Sequence, residues 1–429
     1  MASFSKMAAE IEEFIKYFCD EVGPRPPCSE QEAKAAKLLK KKFDEYCDKT
    51  SLENFTCRPA AYRWVFRLPI ILYILSVALY IFSIYFCLQA SATPLGFTLL
   101  SMIWGADLRF YQLLFLLAAL VVGAFSVVVI VGSLMYTRET VDLVFPKRSS
   151  TNVIGKIMPK EKVRKLVLIS GHHDSNWEFP LIKRFGSKYV TVQAIPVILN
   201  YILLPILLFK MATYLLGVTL GFHIETIIAA VLVAPIPIML YIYPNLVSKT
   251  PVMGANDNLT GMSVCYEVAK YISNQELRPK ETEVWLVSFG CEEIGDRGSK
   301  QFVKSHYEEL KEAYHVNIDM VGEKESTLCI VEKEVRTLVK LSPEVIQKLN
   351  SIFEKLRIKV KNVSIDAYTD AMSFAKKGLK SASIVALGPS KFPKYYHTTN
   401  DTPENLDYNQ VANVVKVCLE FIKQIDQKA

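Results

Sequence analysis

Four long runs without a charged residue constrain this chain more than any other feature of it. Residues 68–88 (LPIILYILSVALYIFSIYFCL) and 110–136 (FYQLLFLLAALVVGAFSVVVIVGSLMY) are two of them; 189–209 and 226–247 are the others. A helix crosses a bilayer with about 20 apolar residues. Four such runs are too much apolar surface for the core of a wholly soluble protein of 429 residues. Pro196, Pro205, Pro235 and Pro237 fall inside the later runs, where membrane helices tolerate proline better than soluble ones. The runs therefore predict four transmembrane helices. They hold no Asp, Glu, Lys or Arg, which argues against an ion or solute pathway through them. Lys210, just past the third, is expected to snorkel to the interface, and Asn200 to hydrogen-bond between helices. Residues 89–106 are also uncharged, but they are not counted as a span.

The remaining chain alternates short apolar runs with amphipathic segments. The runs at 151–157, 165–170, 282–289, 314–320, 327–332 and 381–387 read as strands. Helical spacing marks 8–22, 258–273, 298–313, 343–356, 370–377 and 408–427, and Ser29 with Glu32 forms a capping box for another helix reaching about Tyr46. That order implies an α/β domain: a mostly parallel central sheet with helices on both faces. Two membrane inserts interrupt it. Both flanks of each insert must return to one sheet, so each crosses the membrane an even number of times. The expected organisation is thus a soluble domain built from 1–62, 138–188 and 248–429, with transmembrane hairpins at 63–137 and 189–247.

Basic residues set the orientation. Arg58, Arg63 and Arg67 precede the first span, Arg138, Lys147 and Arg148 follow the second, and Lys183, Arg184 and Lys188 precede the third. The opposite loops offer Arg109 and Lys210. By the positive-inside rule the soluble domain faces the cytoplasm. Nine cysteines without a CxxC spacing suit a reducing compartment. The net charge of +7 fits an anionic leaflet, and no nucleic-acid-binding signature accompanies it.

Acidic residues and histidines gather where the expected strands end. His172 and Asp174 lie in ISGHHDSNW, Asp257 in GANDNLTG, Glu292 and Glu293 in SFGCEEIGDRGS, Asp319 in VNIDMVG and His397 in YYHTTNDT. Open α/β sheets bind ligands outside the carboxyl ends of their strands, so five such segments can converge. Imidazole and carboxylate donors without thiolates suit a catalytic zinc.

In their order, HHD, GANDNLTG, EEIGDRGS, NIDMVG and YHTTND resemble the co-catalytic di-zinc aminopeptidases, metallopeptidase family twenty-eight. The resemblance extends to the opening GPRPPCSEQEAKAAKLLKKKF and to YTDAMSFAKKG, and it skips the membrane inserts. It implies two Zn2+ ions, with His172 and Asp319 on one, Glu293 and His397 on the other, and Asp257 between them. Glu292 would be the general base, and Asp174 would orient the site through hydrogen bonds. The implied activity removes N-terminal residues from short peptides with a free N-terminus, beside a lipid bilayer. A carboxypeptidase on this fold stays open. A glutaminyl-cyclase-like activity, which uses one zinc, fits the full ligand set less well, and so does an inactive scaffold. His173, where the family often has Tyr, is expected beside the ligands or facing solvent. Cys291 is expected to fill space. Thr399 stands where many relatives have proline.

Overall fold

The computed structural model describes residues 4–92, 108–135 and 141–427. The chain divides into two units. One comprises Met1–Pro59, Pro146–Ser187 and Val247–Ala429; the other comprises Ala60–Phe145 and Lys188–Leu246.

The first unit is built on a nine-stranded sheet. Its strands are β1 (Lys49–Cys57), β2 (Arg148–Ile157), β3 (Lys165–His172), β4 (Thr282–Phe289), β5 (Tyr314–Asp319), β6 (Thr327–Glu334), β7 (Val339–Lys340), β8 (Lys361–Ile365) and β9 (Lys380–Leu387). The spatial order is β1-β2-β4-β3-β5-β9-β6-β7, with β8 beside β6. β4, β3, β5 and β9 run parallel and form the centre. Antiparallel pairs β2·β4 and β6·β9 flank them, and one further parallel pair, β6·β8, lies at the margin. Their sequences, such as LVLIS and WLVSF, are near-continuous apolar runs because both faces are covered.

Alternation along β4 shows the two layers. Val284 and Leu286 pack with the helices Phe4–Glu21, Thr260–Ser273, Pro343–Lys355 and Tyr408–Gln427. Trp285, Val287 and Phe289 point the other way, onto Phe302 and Phe374. β1 was not among the expected strands. Its sequence, KTSLENFTC, is largely polar because it is an edge strand paired on one side, with Lys49 opposite Lys156 and Cys57 opposite Arg148. β7 and β8 are also margin strands absent from the sequence reading. At the helix Glu30–Asp44, Ser29 Oγ accepts the Glu32 amide as expected of a cap. The Glu32 carboxylate, however, accepts the amide of Cys28 at 2.6 Å, one residue earlier than a capping box requires.

Among the described residues, four helical stretches are long and apolar enough to cross a membrane, and they fall mainly in the second unit: Pro59–Gln89, Leu108–Gly132, Pro180–Leu215 and Phe222–Asn245. The last is broken at Ala234–Pro235 into Phe222–Val233 and Ile236–Asn245, where proline lacks the N–H that would continue the ladder. Small residues let these helices approach closely. A Cβ on Gly123 would lie 3.2 Å from both Leu207 and Ser76, and Ser76 Oγ donates to the Ala119 carbonyl at 2.8 Å. Asn200 donates to the Pro69 carbonyl at 3.2 Å, the helix-to-helix role expected of it. Phe82, Phe110, Val121, Phe125, Ile202 and Phe209 are exposed on the outside of this unit.

Two expectations fail here. Lys210 does not snorkel: it is buried and pairs with Glu225, which is itself buried and accepts from Tyr80 Oη at 3.1 Å. Both residues lie inside the helical stretches, so these are not free of charge once the helices extend past the apolar windows. Their pairing is the physical reason, since it neutralises each charge in place. The end of the uncharged segment 89–106, together with Trp104 and Arg138, lies outside the described residues.

Candidate metal centre

Because β3, β4, β5 and β9 are parallel, their carboxyl ends share one rim of the sheet. His172 is the last residue of β3 and lies opposite Phe289, the last of β4. The loop after β4 turns at Cys291, whose φ of 54° is left-handed, and delivers Glu292 and Glu293. Asp319 ends β5. His397, also at positive φ (50°), comes from the loop between β9 and the last helix. Asp257 sits in the turn ahead of the helix Thr260–Ser273. That turn begins at Gly254, with φ at 65°, where a Cβ would fall 2.5 Å from the Asp257 carbonyl and from Ser175. Glycine is needed there for both reasons.

All seven candidate residues meet. Asp257 sits between the two histidines: its Oδ1 is 3.1 Å from His172 Nε2, and its Oδ2 is 3.3 Å from His397 Nε2. Asp319 Oδ1 and Glu292 Oε2 each lie 3.7 Å from His172 Nε2. Glu293 Oε2 is 2.9 Å from His397 Nε2. Donor atoms of His172, Glu292 and Asp319, and separately of His172, Asp257 and Glu293, fall within 4.8 Å of one another. Asp174 has its Oδ1 3.4 Å from His172 Nδ1 and also holds backbone. Its Oδ1 accepts the Glu292 amide at 3.1 Å and its Oδ2 the Glu293 amide at 3.2 Å.

The electrostatics ask for cations. Burial pushes the Glu292 carboxyl well above its usual range, against the pull of His172. Burial, with repulsion from Asp257, lifts Glu293 to about 7. Burial works against protonating His397, yet Glu293 and Asp257 raise it to about 9. Asp257 is buried too, but contact with His172 and His397 holds it well below the ordinary carboxylate range. Four carboxylates facing two imidazoles would carry surplus negative charge if all were ionised, and the raised Glu292 and Glu293 reflect burial and that crowding. His172 Nε2, Glu293 Oε1 and Asp319 Oδ1 are buried without a hydrogen-bond partner. Buried polar atoms normally have one, so this donor set fits divalent metal ions.

Several residues of the site were not assigned from sequence. Asn176 donates to Glu293 Oε2 at 2.7 Å, although it stands in the same ISGHHDSNW stretch as His172. Asp401 accepts the amides of Asn256 and Asp257 at 2.6 and 3.1 Å and so positions the Asp257 turn. Arg25, from the GPRPPC turn, is fully buried. It donates to the carbonyls of His173, Met253 and Gly254 at 2.8, 2.8 and 2.9 Å, tying the β3 loop to the Asp257 turn.

His173 is not solvent-facing. It is buried, with Nδ1 2.7 Å from Ser288 Oγ, and burial lowers it to about 4, so it stays neutral. Of the other histidines, His306 Nε2 meets Glu53 at 2.6 Å. His315 is bracketed by Ser170 and Ser381 inside the sheet.

Acidic and imidazole side chains gathered at the carboxyl rim of an α/β sheet make an arrangement to set beside zinc exopeptidases of known structure. The comparisons agree. Residues 239–422 match the sequence model of Peptidase family M28. The matched stretch carries Asp257, Glu292, Glu293, Asp319 and His397; His172 and Asp174 lie before it. Aminopeptidase YwaD of Bacillus subtilis is 32% identical over 160 residues, which is 36% of this chain and 33% of that protein. The alignment thus spans about a third of the relative's length. Among solved structures, the aminopeptidase from Aneurinibacillus sp. strain AM-1 superposes with a TM-score of 0.53 at 15% identity, covering 97% of this chain and 93% of that one. A zinc aminopeptidase from Bacillus subtilis gives 0.54 at 15% identity, covering 98% and 96%. LapB from Legionella pneumophila gives 0.53 at 13% identity, covering 100% and 76%. These structures share the fold.

Proposed function

We propose that the protein is a membrane-anchored zinc aminopeptidase that removes the N-terminal residue from short peptides at the cytoplasmic side of a bilayer. The observation that carries this reading is the Asp257 carboxylate, with one oxygen toward His172 and the other toward His397. His172, Asp319 and Asp257 would hold one Zn2+, and Glu293, His397 and Asp257 the other. When bound, two such ions lower the pKa of a water and polarise a peptide carbonyl. Glu292, whose burial makes its carboxylate a stronger base, would take a proton from that water in its ionised form and deliver it to the leaving amine. Asp174 and Asn176 hold the Glu292–Glu293 pair in place. Beside Asp257 lies a small cleft lined by Met320, Glu323, Tyr395 and Tyr396, which would receive part of the substrate. The apolar outside of the second unit supports anchoring by four helices.

The test uses the full-length protein in detergent: zinc content by mass spectrometry, beside hydrolysis of peptides with free and with blocked N-termini. Release of N-terminal residues from the free peptides alone, with zinc bound, is expected. Cleavage of blocked peptides at their C-terminal bond would establish the carboxypeptidase alternative. Protein that neither binds zinc nor cleaves peptides would overturn the reading.

A further inference from the structure

Three cysteines that the proposed chemistry does not use converge beside the loop of Glu292 and Glu293. Cys28 comes from the turn before the helix Glu30–Asp44, Cys57 ends β1, and Cys291 follows β4. Their Sγ atoms form a nearly equilateral triangle: 3.2 Å between Cys28 and Cys57, and 3.5 Å from each to Cys291. Segments 29 and 234 residues apart in the chain supply the three corners. Two of them reach the triangle from left-handed backbone, Cys28 at φ 57° and Cys291 at φ 54°, a conformation unusual for residues with a Cβ.

Glu32 explains how the triangle is held. Its buried carboxylate accepts the Cys28 amide at 2.6 Å, the Cys291 amide at 2.9 Å and Ser150 Oγ at 2.9 Å, and its Oε1 lies 3.3 Å from Cys291 Sγ. This is why Glu32 reaches past the cap. Carboxylates that orient metal ligands through hydrogen bonds are a common feature of metal sites.

We infer that Cys28, Cys57 and Cys291 form a separate thiolate site for Zn2+, clipping the turn at Cys28 and the end of β1 to the loop that carries Glu292 and Glu293. The dimensions suit it. The centre of such a triangle is about 2 Å from each sulfur, and Zn–S bonds are about 2.3 Å. A zinc ion would therefore sit about 1 Å out of the sulfur plane, as the apex of a pyramid with a fourth position left for water. Three thiolates select zinc or a similarly soft cation over Mg2+ or Ca2+. Cys28 is the least buried of the three, so the site has a route to solvent.

The imidazole–carboxylate centre contains no sulfur, so thiolate-to-metal charge transfer reports this site alone. Full-length protein in detergent, purified under reductant and stripped by chelator, is titrated with Co2+ and followed in the near ultraviolet and visible. Wild type is expected to develop an intense thiolate-to-cobalt band that saturates with one equivalent. C28S and C57S should each lose that band and one equivalent of metal while keeping their weaker visible cobalt absorption. That retained absorption also shows that the variants fold. Folded wild type without the band would overturn the inference, as would a band that persists in both variants. A Cys28–Cys57 disulfide in protein purified without reductant, with no metal taken up after reduction, would overturn it as well. Because the readout is spectroscopic, it stands apart from peptidase activity: either reading can fail without the other.

Discussion

Asp174 Oδ1 accepts the backbone N–H of Glu292 at 3.1 Å. A residue just past β3 therefore fixes where the next strand's loop places its carboxylates. Asp174→Ala would leave the amides of Glu292 and Glu293 without their acceptor, and both would shift. Hydrogen-bonding partners of this kind are worth about 10–100-fold in activity or metal affinity. Asp174→Ala is expected to lower kcat by that order with KM less affected. Asp174→Asn, which keeps one acceptor oxygen, should fall between it and wild type. Equal kcat in all three proteins would refute the positioning role.

The two members of the glutamate pair should separate experimentally. Glu292→Gln keeps the shape and removes the proposed proton acceptor, so zinc should remain bound while hydrolysis falls by about 100–10,000-fold. Glu293→Gln removes a carboxylate 2.9 Å from His397 and should lose zinc as well as activity. Metal analysis beside steady-state kinetics distinguishes them. If Glu292→Gln loses the metal and Glu293→Gln keeps it, the roles are reversed.

Arg25 is expected to matter for stability more than for chemistry. Its guanidinium satisfies carbonyls of His173, Met253 and Gly254, in the segments that carry His172, Asp174 and Asp257. Arg25→Met would leave these buried acceptors unpaired, at about 1–3 kcal/mol for each group left without a partner. Arg25→Lys keeps the charge but loses the fork geometry, so it should recover only part of the loss. Unfolding midpoints in urea measure the order, and a wild-type midpoint for Arg25→Met would refute the clamp.

How much of this could be read from the sequence depends on how far apart the interacting residues lie. β3, β4, β5 and β9 announce themselves as apolar runs, and His172, Glu292, Glu293 and Asp319 follow at or just past three of their ends, so the rim was legible in the sequence. β1 was not, because an edge strand needs only half its residues apolar. The Arg25 clamp was hidden because it grips backbone carbonyls 148 and 228 residues away, and carbonyls leave no mark in a sequence. Asn176 and Asp401 stood inside quoted motifs, but their partners are set by loop geometry. Lys210 was misread because a lone lysine at the end of an apolar run looks the same whether or not a glutamate faces it.

That last pair makes a prediction of its own. Lys210 and Glu225 are both buried in the second unit, with Tyr80 donating to the glutamate. Removing one partner strands the other charge, which costs about 3–5 kcal/mol, whereas removing both is often tolerated. Lys210→Met and Glu225→Gln should each lower the thermal unfolding temperature in detergent, and the double variant should lie closer to wild type than either. Additive losses would show that the two residues do not act as a pair.

His315 gives the acid limb of stability a definite sign. It sits in β5 with Nε2 2.7 Å from Ser170 Oγ, Nδ1 2.8 Å from Ser381 Oγ and its ring stacked on Phe374. No carboxylate is among these partners, and burial lowers the imidazole to about 3. In the unfolded chain the same ring titrates near 6.5. Below pH 6.5 the unfolded state therefore binds the extra proton first, and stability falls as pH drops toward 3. Above pH 6.5 both states are neutral and the contribution is fully present. His315→Gln lacks the titrating group, so its unfolding temperature should fall less steeply than wild type between pH 6.5 and 4. Whatever offset the substitution introduces at pH 7.5 should be constant above pH 6.5 and shrink below it. An offset that does not change with pH across this window would mean that the folded and unfolded chains bind the His315 proton equally, so that burial does not perturb the ring, which its two hydroxyl partners and buried position argue against.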